Sequence, residues 1–392
     1  MTAPRPLLVF ADDWGRHPSS CQHLIRQLLP HREVVWVNTI GTRPPRLDWS
    51  TIHRVIGKLK QWSKPGEIAV PDSSLRPRIL SPKMWPSFRS RFGRGLNRRM
   101  LSNALRPVIA AMPQPPVIVT TLPLVADLVG VWPGVRWVYY CVDDFSVWPG
   151  YDGVTMLKME REFVPKVDAV VAVSETLREH VLKLGKPSTL LTHGVDLDHW
   201  RGNSERESVP ELAGLAAPLV LFWGVIDRRL DMDFVRHLAN NLKGGTLAFV
   251  GPQEDPDPEL TKLPNVVFRS PVAFERLPSF ARQAAVLVMP YADLPVTRAM
   301  QPLKFKEYLA TGRPTVVRDL PSTREWADAA DVVRTQEEFA ARVLERIAGG
   351  LPAGQRLARE RLSSESWAGK ATEFEKVLDD FPAADETRST FN

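Results

Sequence analysis

The 392-residue chain contains only two cysteines, Cys21 and Cys141, far apart and outside any metal-ligand spacing. So few thiols exclude a disulfide framework and favour a reducing compartment. Long apolar runs are missing too. The N-terminal one covers Leu7 to Ala11 before Asp12 and Asp13, too short for a signal sequence. No stretch approaches the roughly 20 apolar residues of a membrane helix. The expected location is therefore the cytoplasm, free or held to the inner membrane face from outside. No internal repeat and no low-complexity tract occurs, which argues against a solenoid or a linker-like chain.

The residues present describe a globular protein, with 44% hydrophobic and 24% charged. The length suits two domains of ordinary size. Apolar runs alternate with helical patterns from end to end, which predicts an α/β fold of two doubly wound parallel sheets. Strands are expected at Leu7–Ala11, Val34–Asn38, Val117–Thr121, Trp137–Val142, Ala169–Val173 and Thr189–Thr192 in the first half. Those of the second half are expected at Leu219–Trp223, Leu247–Val250, Val266–Phe268, Val286–Met289 and Thr315–Val317. The boundary is placed after H-G-V-D-L-D-H-W (His193 to Trp200), where the polar stretch Arg201–Glu211 suits a linker. This gives domains at 1–200 and 201–365, with a terminal helix at 366–382.

The segment from Tyr291 to Arg318 carries the clearest chemistry. Pro302 falls at the start of a short helix that closes at Thr311-Gly312 before Pro314. The unsatisfied N–H groups of Leu303 and its neighbours at such a start attract an anion. Lys304 lies in that first turn, where a cation is out of place against the helix dipole unless an anion is bound nearby. Glu307, three residues on, shares the Lys304 face. A carboxylate there can accept both hydroxyls of a ribose while the lysine holds a diphosphate. A solvated amphipathic helix with Phe305 and Leu309 turned to the core is the plain alternative.

P-L-K-F-K-E-Y-L-A-T-G-R-P-T-V-V (Pro302 to Val317) resembles the nucleotide-binding signature of GT-B glycosyltransferases, whose bacterial polysaccharide members show P-x-K-x-x-E-Y-L-A-x-G-x-P-V-V. Three further pieces resemble the same family in the same order. They are G-V-I-D-R-R-L-D (Gly224 to Asp231), F-V-G-P (Phe249 to Pro252), and N-V-V-F-R-S-P-V (Asn265 to Val272) with L-P-S-F (Leu277 to Phe280). The resemblance covers about residues 219 to 333. It implies a GT-B fold and a donor site built from Gly224, Arg229, Gly251, Val272, Tyr291, Pro302, Leu303, Lys304 and Glu307. It also implies a nucleotide diphosphate sugar as donor, a uridine diphosphate sugar first, with no cofactor. Helix ends and basic side chains neutralise the leaving diphosphate in such enzymes, so no metal is expected.

The acceptor side is expected in the first half. Asp12-Asp13 and Asp143-Asp144 each follow an apolar strand, where a carboxylate can remove a proton from an acceptor hydroxyl. A helix cap or a loop hydrogen bond is the plain reading of any one of them. Y-Y-C-V-D-D-F-S resembles a Y-x-x-x-D-D element of related polysaccharide transferases, which makes Asp143 or Asp144 the expected base. Strand alternation allows only one of the two to face the site. W-G-R-H-P-S-S-C-Q-H-L (Trp14 to Leu24) resembles the first strand-to-helix loop of the same enzymes, so Arg16 and His17 are candidates to touch an acceptor phosphate or the donor, with His17 a rival base. Many retaining members carry a second glutamate eight residues before the ribose glutamate. Counting back from Glu307 reaches Ala299, which favours inversion.

Between Arg43 and Arg106 fall Arg43, Arg46, Arg54, Lys58, Lys60, Lys64, Arg76, Arg78, Lys83, Arg89, Arg91, Arg94, Arg98, Arg99 and Arg106, against only Asp48, Glu67 and Asp72. No nucleic-acid motif accompanies them. With Trp62, Trp85, Phe88 and Phe92 interleaved, the segment suits an anionic membrane surface, and the acceptor expected is a glycan or a polyprenyl-linked sugar. The alternatives are a sugar-nucleotide isomerase of the 2-epimerase type on the same fold, or an inactive binding module.

Overall fold

The computed structural model describes residues 4–15, 19–39, 76–202 and 209–380. Its strands form two sheets, and the described strands pair in parallel throughout. The first sheet runs β3-β2-β1-β4-β5-β6-β7, from β1 (Leu7–Ala11), β2 (Val34–Asn38), β3 (Arg78–Leu80), β4 (Val117–Thr120), β5 (Arg136–Cys141), β6 (Ala169–Ala172) and β7 (Thr189–Leu190). The second runs β10-β9-β8-β11-β12-β13, from β8 (Leu219–Trp223), β9 (Thr246–Val250), β10 (Val266–Arg269), β11 (Val286–Met289), β12 (Thr315–Arg318) and β13 (Asp331–Val333).

Central strands are buried on both faces, which is why they read as unbroken apolar runs: LLVFA in β1 and LVLFW in β8 are buried at every position. The three-residue strands β3 and β13 are absent from the sequence expectation. Each sits at the edge of its sheet, and RIL and DVV are too short for any periodicity to register. Strand β5 ends at Cys141, one residue sooner than expected, and this matters below.

By contacts the chain groups into two compact units. One comprises Met1–His17, Leu28–Tyr139 and Phe145–Asp168; the other comprises Pro18–Gln27, Tyr140–Asp144 and Ala169–Asn392. Within the second, a helix at Leu303–Ala310 follows β11 and another at Trp367–Asp379 closes the described chain, its N-cap Ser366 accepting from the Gly369 N–H. Among the described residues no helix is long and apolar enough to cross a membrane.

Candidate functional site

In the second sheet the winding direction reverses between β8 and β11, which pair side by side. A crevice opens at such a point beyond the strands' carboxyl ends, and ligands of doubly wound sheets collect there. Gly224 directly follows β8, Gly251 directly follows β9, and Tyr291 lies just past β11. Both glycines have positive φ, +133° and +150°. A Cβ on Gly224 would stand 2.0 Å from Lys304 Nζ, and one on Gly251 would stand 2.0 Å from the Gly224 carbonyl oxygen. The two strand ends therefore touch through backbone, and the missing side chain of Gly224 is what admits the Lys304 ammonium.

Lys304 Nζ donates to Tyr291 Oη at 2.7 Å and lies 4.4 Å from the Phe222 ring centroid. Phe305 and Leu309 of the same helix are 2% and 1% exposed, so they do face the core while Lys304 and Glu307 share another face. Pro302 is the N-cap of this helix, one residue outside its expected place in the first turn, and Leu303 begins the helix. No side chain caps that turn; the Phe305 N–H donates to the Pro302 carbonyl at 3.1 Å, which leaves the Leu303 and Lys304 N–H groups as the ones open to an anion.

Glu307 is half-buried at the foot of this group. Its Oε2 is 3.5 Å from Trp223 Nε1, a long contact for a charged acceptor. Burial raises its carboxyl to about 7, against smaller downward effects of the Trp223 hydrogen bond and the Lys304 charge. Tyr308 Oη accepts from the Trp223 backbone N–H at 3.0 Å, which locks the helix to the end of β8.

Arg229 is buried and ion-paired with Asp227, Nη2 to Oδ2 at 2.8 Å, and its guanidinium lies 5.8 Å from the Tyr291 ring centroid. Burial alone would lower its pKa, but Tyr291, Asp227 and Asp143 together raise it. Asp227 is thus part of the group, unseen at the sequence level because it reads as one more turn carboxylate. Val272 packs half-buried against the hydrophobic core of this sheet, farther along from β10.

Asp143 and Asp144 lie in the loop after β5, both half-buried. Because β5 ends at Cys141, strand alternation does not govern which way they point. Asp143 is close enough to act on Arg229 through its charge. Asp12 is exposed, and its carbonyl accepts from Trp36 Nε1 at 2.9 Å; Asp13 is half-buried. Arg16 and His17 lie outside the described residues. Ala299 is buried, and its carbonyl accepts from Ser174 Oγ at 2.8 Å, so no carboxylate stands eight residues before Glu307.

Sequence reasoning also missed the ring stack under the site. Trp200 stacks on Trp223, with centroids 5.5 Å apart and planes at 9°, and Trp223 meets Tyr308 edge-on at 4.2 Å. The signal was the aromatic closing H-G-V-D-L-D-H-W, placed by the boundary at the end of the first domain rather than against β8.

Residues 217–348 match the family described as glycosyl transferases group 1. The match is confined to that segment. It contains Gly224, Arg229, Gly251, Val272, Tyr291 and the Leu303 helix entire. A putative teichuronic acid biosynthesis glycosyltransferase of Bacillus subtilis, TuaH, is 28% identical over 172 residues. That alignment takes in 42% of this chain and 43% of the relative, so the chain spans less than half the length of the curated relative it matches. Solved structures give the fold of the whole. Sucrose-phosphate synthase from Thermosynechococcus elongatus superposes with a TM-score of 0.67 at 16% identity, over 95% of this chain and 98% of that one. HepE of Anabaena in complex with UDP-glucose gives 0.66 at 11% identity, over 96% of this chain and all of that one. The fold is GT-B, two parallel-sheet, Rossmann-like halves, with the segment matched by the family in the second.

Proposed function

We propose that the protein transfers a sugar from a nucleotide diphosphate sugar, a uridine diphosphate sugar first, to a glycan or lipid-linked acceptor in polysaccharide biosynthesis. The observation that carries this reading is the convergence of Lys304, Tyr291 and Gly224 at the switch point of the second sheet, with Glu307 on the Lys304 face. In this reading the uncapped helix start and Lys304 meet the diphosphate, Glu307 accepts from the ribose hydroxyls, and the reaction needs no metal. The complex of HepE with UDP-glucose supports the choice of donor. The naming of TuaH in teichuronic acid biosynthesis supports the kind of product.

The same reading makes the reaction inverting, with an aspartate as general base. Asp143 is the better candidate than Asp144, because its charge is felt at Arg229 beside Tyr291. Calorimetry with UDP and UDP-sugars, followed by turnover with polyprenyl-linked and soluble glycan acceptors, tests the proposal. Transfer with inverted anomeric configuration is expected. Conversion of the free sugar nucleotide without an acceptor would assign an isomerase instead.

The membrane reading gains one observation. The helix Arg91–Ala110 contains no acidic residue, and Arg91, Arg98, Arg99 and Arg106 are exposed along it. Phe92 is 78% exposed and Trp85 47%. Two of the expected contributors do not belong: Arg94 is enclosed by Asp127 at 2.7 Å and Glu162 at 2.5 Å, and Phe88 is buried. Residues 40–75, with Trp62 and six of the basic side chains, lie outside the described residues. We assign the exposed arginines and aromatics to the anionic inner face of the membrane, where a lipid-linked acceptor is held.

A further inference from the structure

The Leu303 helix carries a second lysine whose role the donor reading leaves open. Lys306 is two residues from Lys304 and next to Glu307, yet it is 3% exposed and turned into the protein. All three of its ammonium protons have acceptors: Glu365 Oε2 at 2.5 Å, the His193 carbonyl at 2.7 Å and Thr192 Oγ1 at 3.2 Å. Glu365 is shared, since Lys370 Nζ reaches the same oxygen at 3.0 Å. The backbone repeats the connection. Val195 N–H donates to the Glu365 carbonyl at 2.8 Å, and His193 N–H donates to Gln301 Oε1 at 3.2 Å, just before the helix begins. Gly194 is held so close to Trp367 that a Cβ there would stand 2.9 Å from the indole.

A nearly fully buried ammonium with three fixed acceptors has one allowed position. A helix of eight residues bound by such a group cannot turn about its axis or slide without breaking it. Lys306 leaves the helix about 100° from Glu307, so it holds the far side while Lys304 and Glu307 point to the site. The buried core contacts of Phe305 and Leu309 fix depth but are non-directional, and the Tyr308 hydrogen bond to the Trp223 N–H ties the helix at one point, so the Lys306 bonds supply the second directional tie that fixes rotation.

We propose that Lys306, through Glu365 and the 192–193 backbone, is a positioning residue that sets the rotation of the donor helix, and that the segment leading into the Trp367 helix thereby controls how well Lys304 and Glu307 act together on the nucleotide. The proposal rests on the donor reading given above. It assigns Glu365, a residue far along the chain from every donor motif, to donor selectivity.

The test compares UDP with 2′,3′-dideoxy-UDP by calorimetry on the full chain, in wild type, Lys306→Met, Lys306→Arg and Glu365→Gln, each below its measured unfolding transition. Lys306→Met should weaken UDP at least about tenfold and reduce the preference for UDP over the dideoxy form severalfold, with Lys306→Arg restoring part of that preference. Glu365→Gln keeps the side chain's shape and removes its charge, leaving Lys306 and Lys370 facing a neutral amide, so a loss of at least about threefold in the preference is expected, and it serves if Lys306→Met does not fold. A purely structural role would lower the unfolding temperature and leave the preference at its wild-type value, which overturns the proposal. Failure of the wild type to bind UDP would instead overturn the donor reading, and the positioning role with it.

Discussion

Glutamine in place of Glu307 should make the protein more stable and less able to bind its donor. The carboxyl is raised from an ordinary 4.5 to about 7, chiefly by burial. That gap corresponds to ~3 kcal/mol at 1.36 kcal/mol per pH unit, and to about half as much after allowing for the part of the residue that reaches solvent. The folded chain holds this proton more tightly than the unfolded one, so stability falls as pH rises from 4.5 to 7 and the penalty is complete above that. Glu307→Gln removes the ionisation and keeps the shape. Urea denaturation should therefore show the variant more stable by about 1–3 kcal/mol at pH 8 and nearly equal to wild type at pH 5. Calorimetry at pH 8 should show UDP weakened by at least about tenfold, the loss of a hydrogen bond to a charged acceptor. A variant no more stable than wild type at pH 8, or a gain that does not change with pH, would refute the burial argument. Unchanged UDP affinity would refute the ribose contact.

Lys304→Ala should weaken UDP more than UMP, because the ammonium is assigned to the diphosphate, and equal losses for both in calorimetry would reject that assignment. Gly224→Ala should reproduce much of the Lys304→Ala defect, since its Cβ would occupy the ammonium's position, and a wild-type UDP affinity would show that Lys304 moves on binding. Asp143→Asn should lower turnover by about 10² or more while leaving UDP affinity near wild type, with Asp144→Asn much milder; the reverse order would move the base to Asp144. Flotation with anionic liposomes at low salt should be lost on reversing Arg91, Arg98 and Arg99 together, whereas Arg94→Glu should fail by misfolding, since it would bring three carboxylates together.

Strands buried on both faces were legible because burial forces continuous apolar runs, and β1, β2, β8 and β11 fall where those runs fall. Two of the four edge strands were not, since β3 and β13 have three residues each and show no such run, whereas β7 and β10 fall where strands were expected. Within the candidate site, Lys304, Glu307 and Gly224 could be singled out because each breaks a local rule: a cation at a helix start, a carboxylate on its face, a glycine at a strand end. Asp227, Trp200, Lys306 and Glu365 break none. Lys306 and Glu365 are 59 residues apart, and a buried ion pair of that separation leaves no mark on either segment. For Arg94 the opposite error arises: counted by sequence it is one more surface charge, but the fold encloses it between two carboxylates.

The contact between the strand ends at Gly224 and Gly251 bears on any attempt to evolve a new donor preference. Neither position offers a side chain to redesign, because the first added carbon meets an ammonium at one and a carbonyl oxygen at the other. A saturation library there would return variants altered in backbone path, and most would lose activity before gaining a preference. In the donor reading, Val272, half-buried beside the core of the same sheet, is where diversity can be placed while the two glycines are kept.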